Sequence, residues 1–299
     1  MRRLVTWWAP LGRSGQAALV WVTLMLLLAL AAPLVAPHDP GQQSLLDSYF
    51  GPSPAHLLGC DGLGRDVLSR LLLGARTSLL GPALVVCCAL LVGIPLALAA
   101  AWSGGWVDGV IARVFDLVYA LPGLLLAVLT VALFGPGLTP AVVALSIAYI
   151  PFLARIVRAA ARQQRVSPYV DALAVQGFGV LRITVRHILR NIVPVVVGQA
   201  AIAFGYALLD LASLSYLGLA VQAPTPDWGV MVSDTDALMQ GQWLPVVAPG
   251  VLVVLTVLAL TVLGTRIAGE RTPYLRRGRA RRRRPQSASA PAGTAGVAA

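Results

Sequence analysis

"TSLLGPALVVCCALLVGIPLALAAAW", residues 77–102, is a long stretch without a charged side chain. A helix rises about 1.5 Å per residue, so roughly 20 apolar residues cross a hydrocarbon layer of about 30 Å, and this stretch is longer than that. Five further stretches are similarly long and apolar: Ala17–Ala36, Val114–Phe134, Thr139–Val157, Val193–Leu217 and Leu244–Ala268. The sequence therefore predicts an all-α, polytopic membrane protein with six uninterrupted transmembrane helices.

The overall composition agrees with a membrane protein. Of 299 residues, 58% are hydrophobic and 12% are charged, whereas about a quarter of the residues in a soluble domain are charged. The long apolar runs differ from the alternating segments of about ten residues that build an outer-membrane barrel. The basic stretch Met1–Arg13 and the "ALAA" at 29–32 fit a cleaved signal peptide. Because the apolar run is longer than a usual signal core, we expect the first span to be retained.

The net charge is +11, but its distribution argues against a nucleic-acid partner. If Arg2, Arg3 and Arg13 are cytoplasmic and six spans alternate, 20 of the 23 basic residues face the cytoplasm. The opposite side receives three arginines: Arg65, Arg70 and Arg76. Arginine in short loops orients spans in this way. The sequence therefore predicts a multi-pass protein of the cytoplasmic membrane with both termini in the cytoplasm.

A polar insert, "SPYVDALAVQGFGVLRITVRHILRNIVP", runs from Ser167 to Pro194 between two spans. A serine cap followed by proline predicts a helix start, and Gly177 predicts its end. A second helix would place arginines on one face, Arg182, Arg186 and Arg190, and apolar residues on the other, Leu181, Val185, Ile188 and Ile192. The insert could lie on the membrane surface. The first helix, however, is small and apolar, which favours a partner's groove as its cover.

The insert resembles the cytoplasmic loop of permease subunits of ABC-type importers. That loop has a Glu-Ala-Ala, three residues, Gly pattern, here Asp171, Ala172, Leu173 and Gly177, with later Ile and Pro at Ile188 and Pro194. Aspartate replaces glutamate and leucine replaces the second alanine. The resemblance implies that residues 168–177 form a coupling helix that docks on an ATPase subunit, which binds the ATP.

An acidic and basic stretch, "GCDGLGRDVLSRLLLGARTSL", precedes the second span at residues 59–79. Its polar and glycine positions are Asp61, Gly64, Arg65, Asp66 and Arg70. Taken alone, these residues fit a catalytic or metal site, but no acid follows through residue 101. The alternative is a capped helix with an Asp66–Arg70 ion pair at i,i+4.

This stretch strongly resembles the segment before the second span of one permease subunit of peptide and nickel ABC importers. "LSYLGLAVQAPTPDWGVM" (214–231) and "RVFDLVYALP" (113–122) match the same subfamily. The resemblance implies a type I ABC importer permease fold in a prokaryotic membrane. It also implies a second permease subunit, two cytoplasmic ATPases and an outer substrate-binding protein as partners, with di- or oligopeptides or nickel as substrate. The subunit itself would be no enzyme and would need no cofactor.

Asp210 is an acid well inside an apolar span. Charges at such depth usually face an interior or a water path, which suggests a gate or pathway residue. The alternative is a structural pairing with Arg65, Arg70 or Arg76. An ion-coupled secondary transporter using Asp210 is the competing function, although such proteins usually carry several intramembrane acids and repeated halves. A membrane enzyme would need a cluster of catalytic groups that the sequence lacks.

The remaining expectations concern surface features and organisation. Arg113 and Asp116 would form a surface pair, and three histidines, His38, His56 and His187, share no helical spacing, so no metal site is expected. We expect four segments: residues 1–36 with the first span, the outer loop 37–76, a five-helix core 77–272 with a coupling loop at 158–193, and a disordered basic tail 273–299. The tail could contact acidic membrane lipid, but a topology anchor with no specific partner is the favoured interpretation.

Overall fold

The computed structural model describes residues 11–269. The predicted basic start at Arg2 and Arg3 and the predicted disordered tail from Pro273 lie outside this range. The described residues form helices, which we number α1 (Gly12–Val35), α2 (Val67–Ser103), α3 (Gly105–Tyr119), α4 (Gly123–Phe134), α5 (Leu138–Arg165), α6 (Pro168–Val175), α7 (Val180–Tyr216), α8 (Trp228–Val232), α9 (Thr235–Met239) and α10 (Leu244–Gly269). A 3₁₀ turn, Leu45–Asp47, lies between α1 and α2.

Five helices, α1, α2, α5, α7 and α10, are long and apolar enough to cross a membrane. A sixth span results if α3 and α4 count as one bent element. The all-α, multi-pass fold predicted from the sequence is therefore confirmed. The loop 36–66, α8 and α9 gather at one end of the bundle, called the loop end, and α6 lies at the other, called the α6 end.

The third predicted span is not an uninterrupted helix. Helices α3 and α4 meet at an angle of 74°, with the break at residues 120–122. Pro122 lacks a backbone N–H and disfavours a helical conformation at Leu121, which explains where the helix ends. The apolar composition of Val114–Phe134 identified a span correctly but could not locate this corner.

The insert helix after α6 is also different from the prediction. The structure continues it without a break into the next span, so that α7 runs from Val180 to Tyr216 with Pro194 inside it. Its second turn, Ile183–Ile188, is a π-helix, which widens the helix near its start. Pro194 therefore does not separate an amphipathic helix from a transmembrane helix.

Small residues let the long helices approach closely. Gly198 of α7 faces Gly264 of α10, and a β-carbon built on Gly198 would lie 2.6 Å from the carbonyl oxygen of Gly264. In lipid, where the hydrophobic effect does not drive helices together, close packing of this kind holds them. The contact of α7 with α10 therefore depends on two glycines.

The outer faces of the helices carry large apolar side chains. Leu30 of α1 and Leu91 of α2 are each 77% exposed, and Leu133 of α4 is 72% exposed. A contiguous surface of this kind is unfavourable in water but matches lipid tails. Inside the bundle, α1 is fixed to α10 by a hydrogen bond from the Trp21 indole to the Thr256 hydroxyl, 3.2 Å.

The glycine contact predicts the effect of a single methyl group. Gly198→Ala should destabilise the bundle by about 1–3 kcal/mol, because the added carbon must push α7 and α10 apart. The thermal unfolding midpoint in detergent measures this effect. Gly109→Ala, on α3 where no atom lies within 4 Å of the added carbon, is the matched control and should not lower the midpoint. Equal midpoints for the two variants would contradict the glycine contact.

Candidate functional site

The short helix α6 ends in a glycine turn, as the sequence predicts. Gly177 has a φ of +81°, which suits glycine because it has no β-carbon. The N–H of Phe178 donates to the Leu173 carbonyl at 3.1 Å, and the N–H of Gly177 donates to the Ala174 carbonyl at 3.0 Å. This Schellman arrangement satisfies carbonyls that the helix leaves free.

The beginning of α6 differs in one respect. Ser167 has the extended backbone of a cap, but its side chain makes no capping hydrogen bond, and its hydroxyl donates to the Gln163 carbonyl at 3.5 Å. Pro168 occupies the first turn, where a missing N–H leaves no intrahelical bond unmade. Asp171 lies in the same turn, where a negative charge suits the helix dipole. Proline and aspartate therefore start the helix without the predicted serine cap.

One side of α6 anchors it to the bundle and the rest is open. Val170 is buried, and Leu173 packs beside it against the end of α2 and the start of α7. The exposed residues of the helix include Asp171, Ala172, Ala174 and Val175, and the Val175 side chain is 90% exposed. The helix thus presents a small, largely apolar surface with one carboxylate, and nothing in residues 11–269 covers it.

The start of α7 buries only part of the predicted apolar face. Leu181 and Val185 are 77% and 51% exposed, whereas Ile183, Ile188 and Ile192 are buried. The π-helical turn rotates later residues relative to an ordinary α-helix, which sequence periodicity does not reveal. The predicted arginine face, Arg182, Arg186 and Arg190, is exposed, and the Arg182 guanidinium lies 4.7 Å from the centre of the Phe178 ring.

Asp210 is paired inside the bundle with a tyrosine. The Tyr149 hydroxyl donates to the Asp210 carboxylate at 2.9 Å. Of the arginines considered from the sequence, Arg65 and Arg70 pair with Asp61 instead. The structural pairing expected for Asp210 is therefore replaced by a neutral donor from α5.

A cavity of about 490 Å³ lies beside Asp210. It is lined by aromatic, aliphatic and small residues of α3, α4, α5, α7 and the break between α3 and α4: Tyr119, Leu121, Pro122, Gly123, Ala148, Tyr149, Phe152, Tyr206 and Leu209. The bend between α3 and α4 forms one of its walls. The cavity thus combines one carboxylate with three tyrosines in an otherwise apolar region.

The outer motif forms a cluster of ion pairs and hydrogen bonds at the loop end. The Asp61 carboxylate accepts from the Arg65 N–H at 3.0 Å and from Arg65 Nε at 2.8 Å, and Arg70 Nε lies 3.4 Å away. Arg70 also donates to the carbonyls of Pro40 and Pro224, at 3.3 and 3.2 Å. Arg70 therefore connects the loop 36–66 with the segment before α8, which indicates a structural role for this motif.

Gly64 and Asp66 are the remaining residues of the outer motif. Gly64 has a φ of +70°, and a β-carbon there would lie 1.7 Å from the Ser44 carbonyl oxygen.

Asp66 caps α2 by accepting from the N–H of Ser69 at 2.8 Å, which confirms the predicted capped helix. The predicted Asp66–Arg70 pair is wrong, since Arg70 faces Asp61. Burial would raise the pKa of Asp66, but hydrogen bonds from Ser69 and His56 outweigh burial and hold it below its usual value.

Two of the three histidines, His38 and His56, are neighbours in the structure. The rings of His38 and His56 lie 4.8 Å apart, and both face Asp66. His187 lies far away in sequence, at the start of α7, beside Phe178. The sequence did not indicate the pair because His38 and His56 lie in an irregular loop, where spacing carries no geometric meaning.

Asp227 was missed as a structural residue. It accepts from the Ser78 hydroxyl at 2.6 Å and from the Gly229 N–H at 2.9 Å, and so caps α8 while holding it to α2. The Trp228 indole donates to the Leu71 carbonyl at 3.0 Å. Burial raises the pKa of Asp227. An aspartate before a short helix is a recognisable cap, but its partner on α2 required the structure.

At the α6 end, ion pairs join α3 to α5. Asp116 contacts Arg155 rather than Arg113, which corrects the predicted surface pair. Asp108 contacts both Arg158 and Arg162. The i,i+3 spacing in the sequence correctly indicated that Asp116 is paired. Its partner, however, is Arg155 on α5 and not a residue of α3.

The sequence matches two family models. The model described as "Binding-protein-dependent transport system inner membrane component" covers residues 93–270, and "N-terminal TM domain of oligopeptide transport permease C" covers residues 13–52. The dipeptide transport system permease protein DppC of Escherichia coli is 40% identical over 271 residues, covering 88% of this chain and 90% of that protein. The di/tripeptide transport system permease protein DppC of Pseudomonas aeruginosa is 39% identical over 270 residues, covering 88% and 89%.

A solved structure has the same fold. An inward-facing form of the MetNI methionine ABC transporter matches with a TM-score of 0.55 and 19% identity, over 68% of this chain and 96% of the matched chain. This likeness confirms the type I importer permease fold that the sequence resemblance implied. The relatives are transport permeases, which confirms the expectation of a transport subunit rather than an enzyme. The chain therefore belongs to the family of binding-protein-dependent transport system inner membrane components, as a permease of the ABC importer type.

Proposed function

We propose that the chain is one of two permease subunits that move di- or oligopeptides across the cytoplasmic membrane, driven by ATPase subunits that dock on α6. The observation that carries this proposal is the exposed surface of α6. A short helix fixed by Val170 on one side, with a 90% exposed Val175 on the other, fits the groove of a partner in the helix-in-groove manner.

The anchoring of α6 supports a coupling role. The Tyr169 hydroxyl donates to Gln164 of α5 at 3.0 Å, and Val170 and Leu173 share an apolar cluster with Ile183 and Ile188 at the start of α7. A force applied to α6 is therefore passed to two long helices. A flexible loop on the membrane surface would lack these connections, which weighs against the surface-loop alternative.

The partners follow from the family and from the cavity. A family of binding-protein-dependent transport components implies an outer binding protein and ATPases. The cavity at Asp210 opens at the surface of this chain, where a second, related permease subunit would close a pathway between the two. ATP and the loaded binding protein need only favour different states of this pair.

Peptides are the substrate that the relatives favour. The two DppC relatives are named for dipeptides and di- or tripeptides, and a 35% identical relative from Pectobacterium atrosepticum is named a glutathione transport system permease. These names favour peptides over nickel. Family membership also does not favour the ion-coupled transporter built on Asp210.

The orientation follows from charge. The described arginines at the α6 end outnumber those at the loop end, which contributes Arg65, Arg70 and Arg76. Arginine-rich loops remain in the cytoplasm. We therefore place α6 and both termini in the cytoplasm and the loop end outside the cytoplasmic membrane.

Charge reversal on α6 tests the docking proposal. Asp171→Arg should weaken co-purification of the ATPases at least about tenfold, since a lost charge contact at an interface costs about 2 kcal/mol or more. Binding-protein-stimulated ATP hydrolysis should fall with it. Gly177→Pro should act alike, because proline cannot adopt a φ of +81°.

Asp236→Arg provides the control for this experiment. Asp236 is exposed on α9, at the opposite end, and its reversal should leave ATPase co-purification unchanged. If Asp171→Arg and Gly177→Pro retained full ATPase coupling, α6 would be only a loop.

Asp210 is proposed as a gate residue of the pathway. Asp210→Asn should lower peptide uptake about tenfold in an assembled complex, since hydrogen bonds to charged groups contribute about 1.5–3 kcal/mol. Tyr149→Phe, which removes the donor, should have a similar effect. Uptake of a labelled dipeptide by reconstituted vesicles measures both.

Thr261→Val is the matched control for a lost polar group in a span. The Thr261 hydroxyl donates to its own helix, to the Val257 carbonyl at 2.8 Å, away from the cavity, so uptake should be unchanged. An Asp210→Asn complex that assembles and transports at the normal rate would remove the gate role.

A further inference from the structure

We propose that His38, His56 and Asp66 form a binding site for a divalent transition metal of the zinc type at the loop end. The three residues come from separate parts of the chain: His38 follows the end of α1, His56 lies in the loop, and Asp66 caps α2. Their potential ligand atoms all lie within 4.8 Å of one another. This inference does not depend on the proposed function.

The distances suit a shared metal ion. Two ligand atoms bound to one zinc at about 2.1 Å lie about 3.0–3.4 Å apart at the angles zinc adopts. His56 Nδ1 lies 3.0 Å from Asp66 Oδ1, and His38 Nδ1 lies 3.8 Å from Asp66 Oδ2. To share one ion with His56 and Asp66, His38 Nδ1 would have to move closer to the carboxylate than its present 3.8 Å.

Hydrogen bonding among these side chains accounts for His56 and Asp66 but not for His38. His56 Nδ1 is within hydrogen-bonding distance of Asp66. His38 Nδ1 is buried and has no hydrogen-bond partner within residues 11–269, because 3.8 Å exceeds the length of a hydrogen bond. Buried polar atoms nearly always have a partner, and a metal ion shared with Asp66 provides one.

The donor set selects the type of metal. Two imidazoles and one carboxylate are ligands that zinc, nickel and copper accept, whereas magnesium and calcium prefer oxygen ligands alone. With neutral histidines the three side chains carry a net charge of −1, which attracts a divalent cation. Three protein ligands also leave a coordination position open for water or for a side chain of a partner protein.

Ser69 orients two members of the cluster. Its hydroxyl donates to Asp66 Oδ2 at 2.7 Å and accepts the backbone N–H of His38 at 3.0 Å. Outer hydrogen bonds of this kind fix metal ligands in place. A bound ion would therefore join the end of α1 to the start of α2 and hold the loop between them.

Titration of Zn²⁺ into the complete chain in detergent, without a histidine tag, tests the site. We expect one molar equivalent to bind by calorimetry, a higher thermal unfolding midpoint, because an ion that binds only the folded state stabilises it, and an X-ray absorption spectrum with two imidazole ligands. His38→Ala should weaken binding at least about tenfold. Because His38 Nδ1 has no hydrogen-bond partner within residues 11–269, the substitution breaks no hydrogen bond of that atom.

Two further variants separate metal binding from folding. Asp66→Asn keeps a good helix cap but removes the charge, so it should fold and bind Zn²⁺ more weakly. His187→Ala, remote from the cluster, should bind as the unaltered chain does. Failure of the unaltered chain to bind Zn²⁺, or unchanged binding in His38→Ala, would overturn the proposed site. The cluster would then be held by hydrogen bonds alone.

Discussion

The need to satisfy every backbone polar group inside a hydrocarbon layer governs this structure. Helices do so within one segment and closed barrels do so between neighbouring strands, and non-helical backbone at membrane depth persists only where it lines a cavity or is buried in protein. The chain departs from continuous helix at residues 120–122, and that corner lines the cavity at Asp210. The break in the third span and the cavity at Asp210 therefore lie at the same place in the structure.

The same constraint moves the remaining charges to the two ends. At the loop end, Asp61 gathers Arg65 and Arg70, and Arg70 reaches carbonyls on two separate segments. At the α6 end, Asp108 and Asp116 fix α3 to α5. Isolated surface ion pairs contribute little, but buried ones that also bind backbone carbonyls fix how loops sit on the bundle. The charged motifs thus fix the loops and helices at both ends of the bundle.

Composition and periodicity predicted the fold class, the span positions and the stop of α6, because these depend on local chemistry. They could not predict which helix supplies a partner. Asp116 was assigned to Arg113, and one alternative paired Asp66 with Arg70 and Asp210 with an outer-loop arginine. The structure instead pairs each acid with a residue distant in sequence or in another part of the loop. The apolar face predicted for early α7 was right for Ile188 and Ile192 and wrong for Leu181 and Val185, since the π-helical turn interrupts the α-helical spacing.

The continuity of α7 links the two ends mechanically. At about 1.5 Å per residue, a helix from Val180 to Tyr216 spans roughly 55 Å and carries Asp210 near its far end. Its close contact with α10 through Gly198 and Gly264 lies between these two ends. The π-helical turn beside α6 is the one widened place in that helix within the described residues. If ATPases dock on α6 as proposed, a movement there would reach the cavity through this turn and along α7.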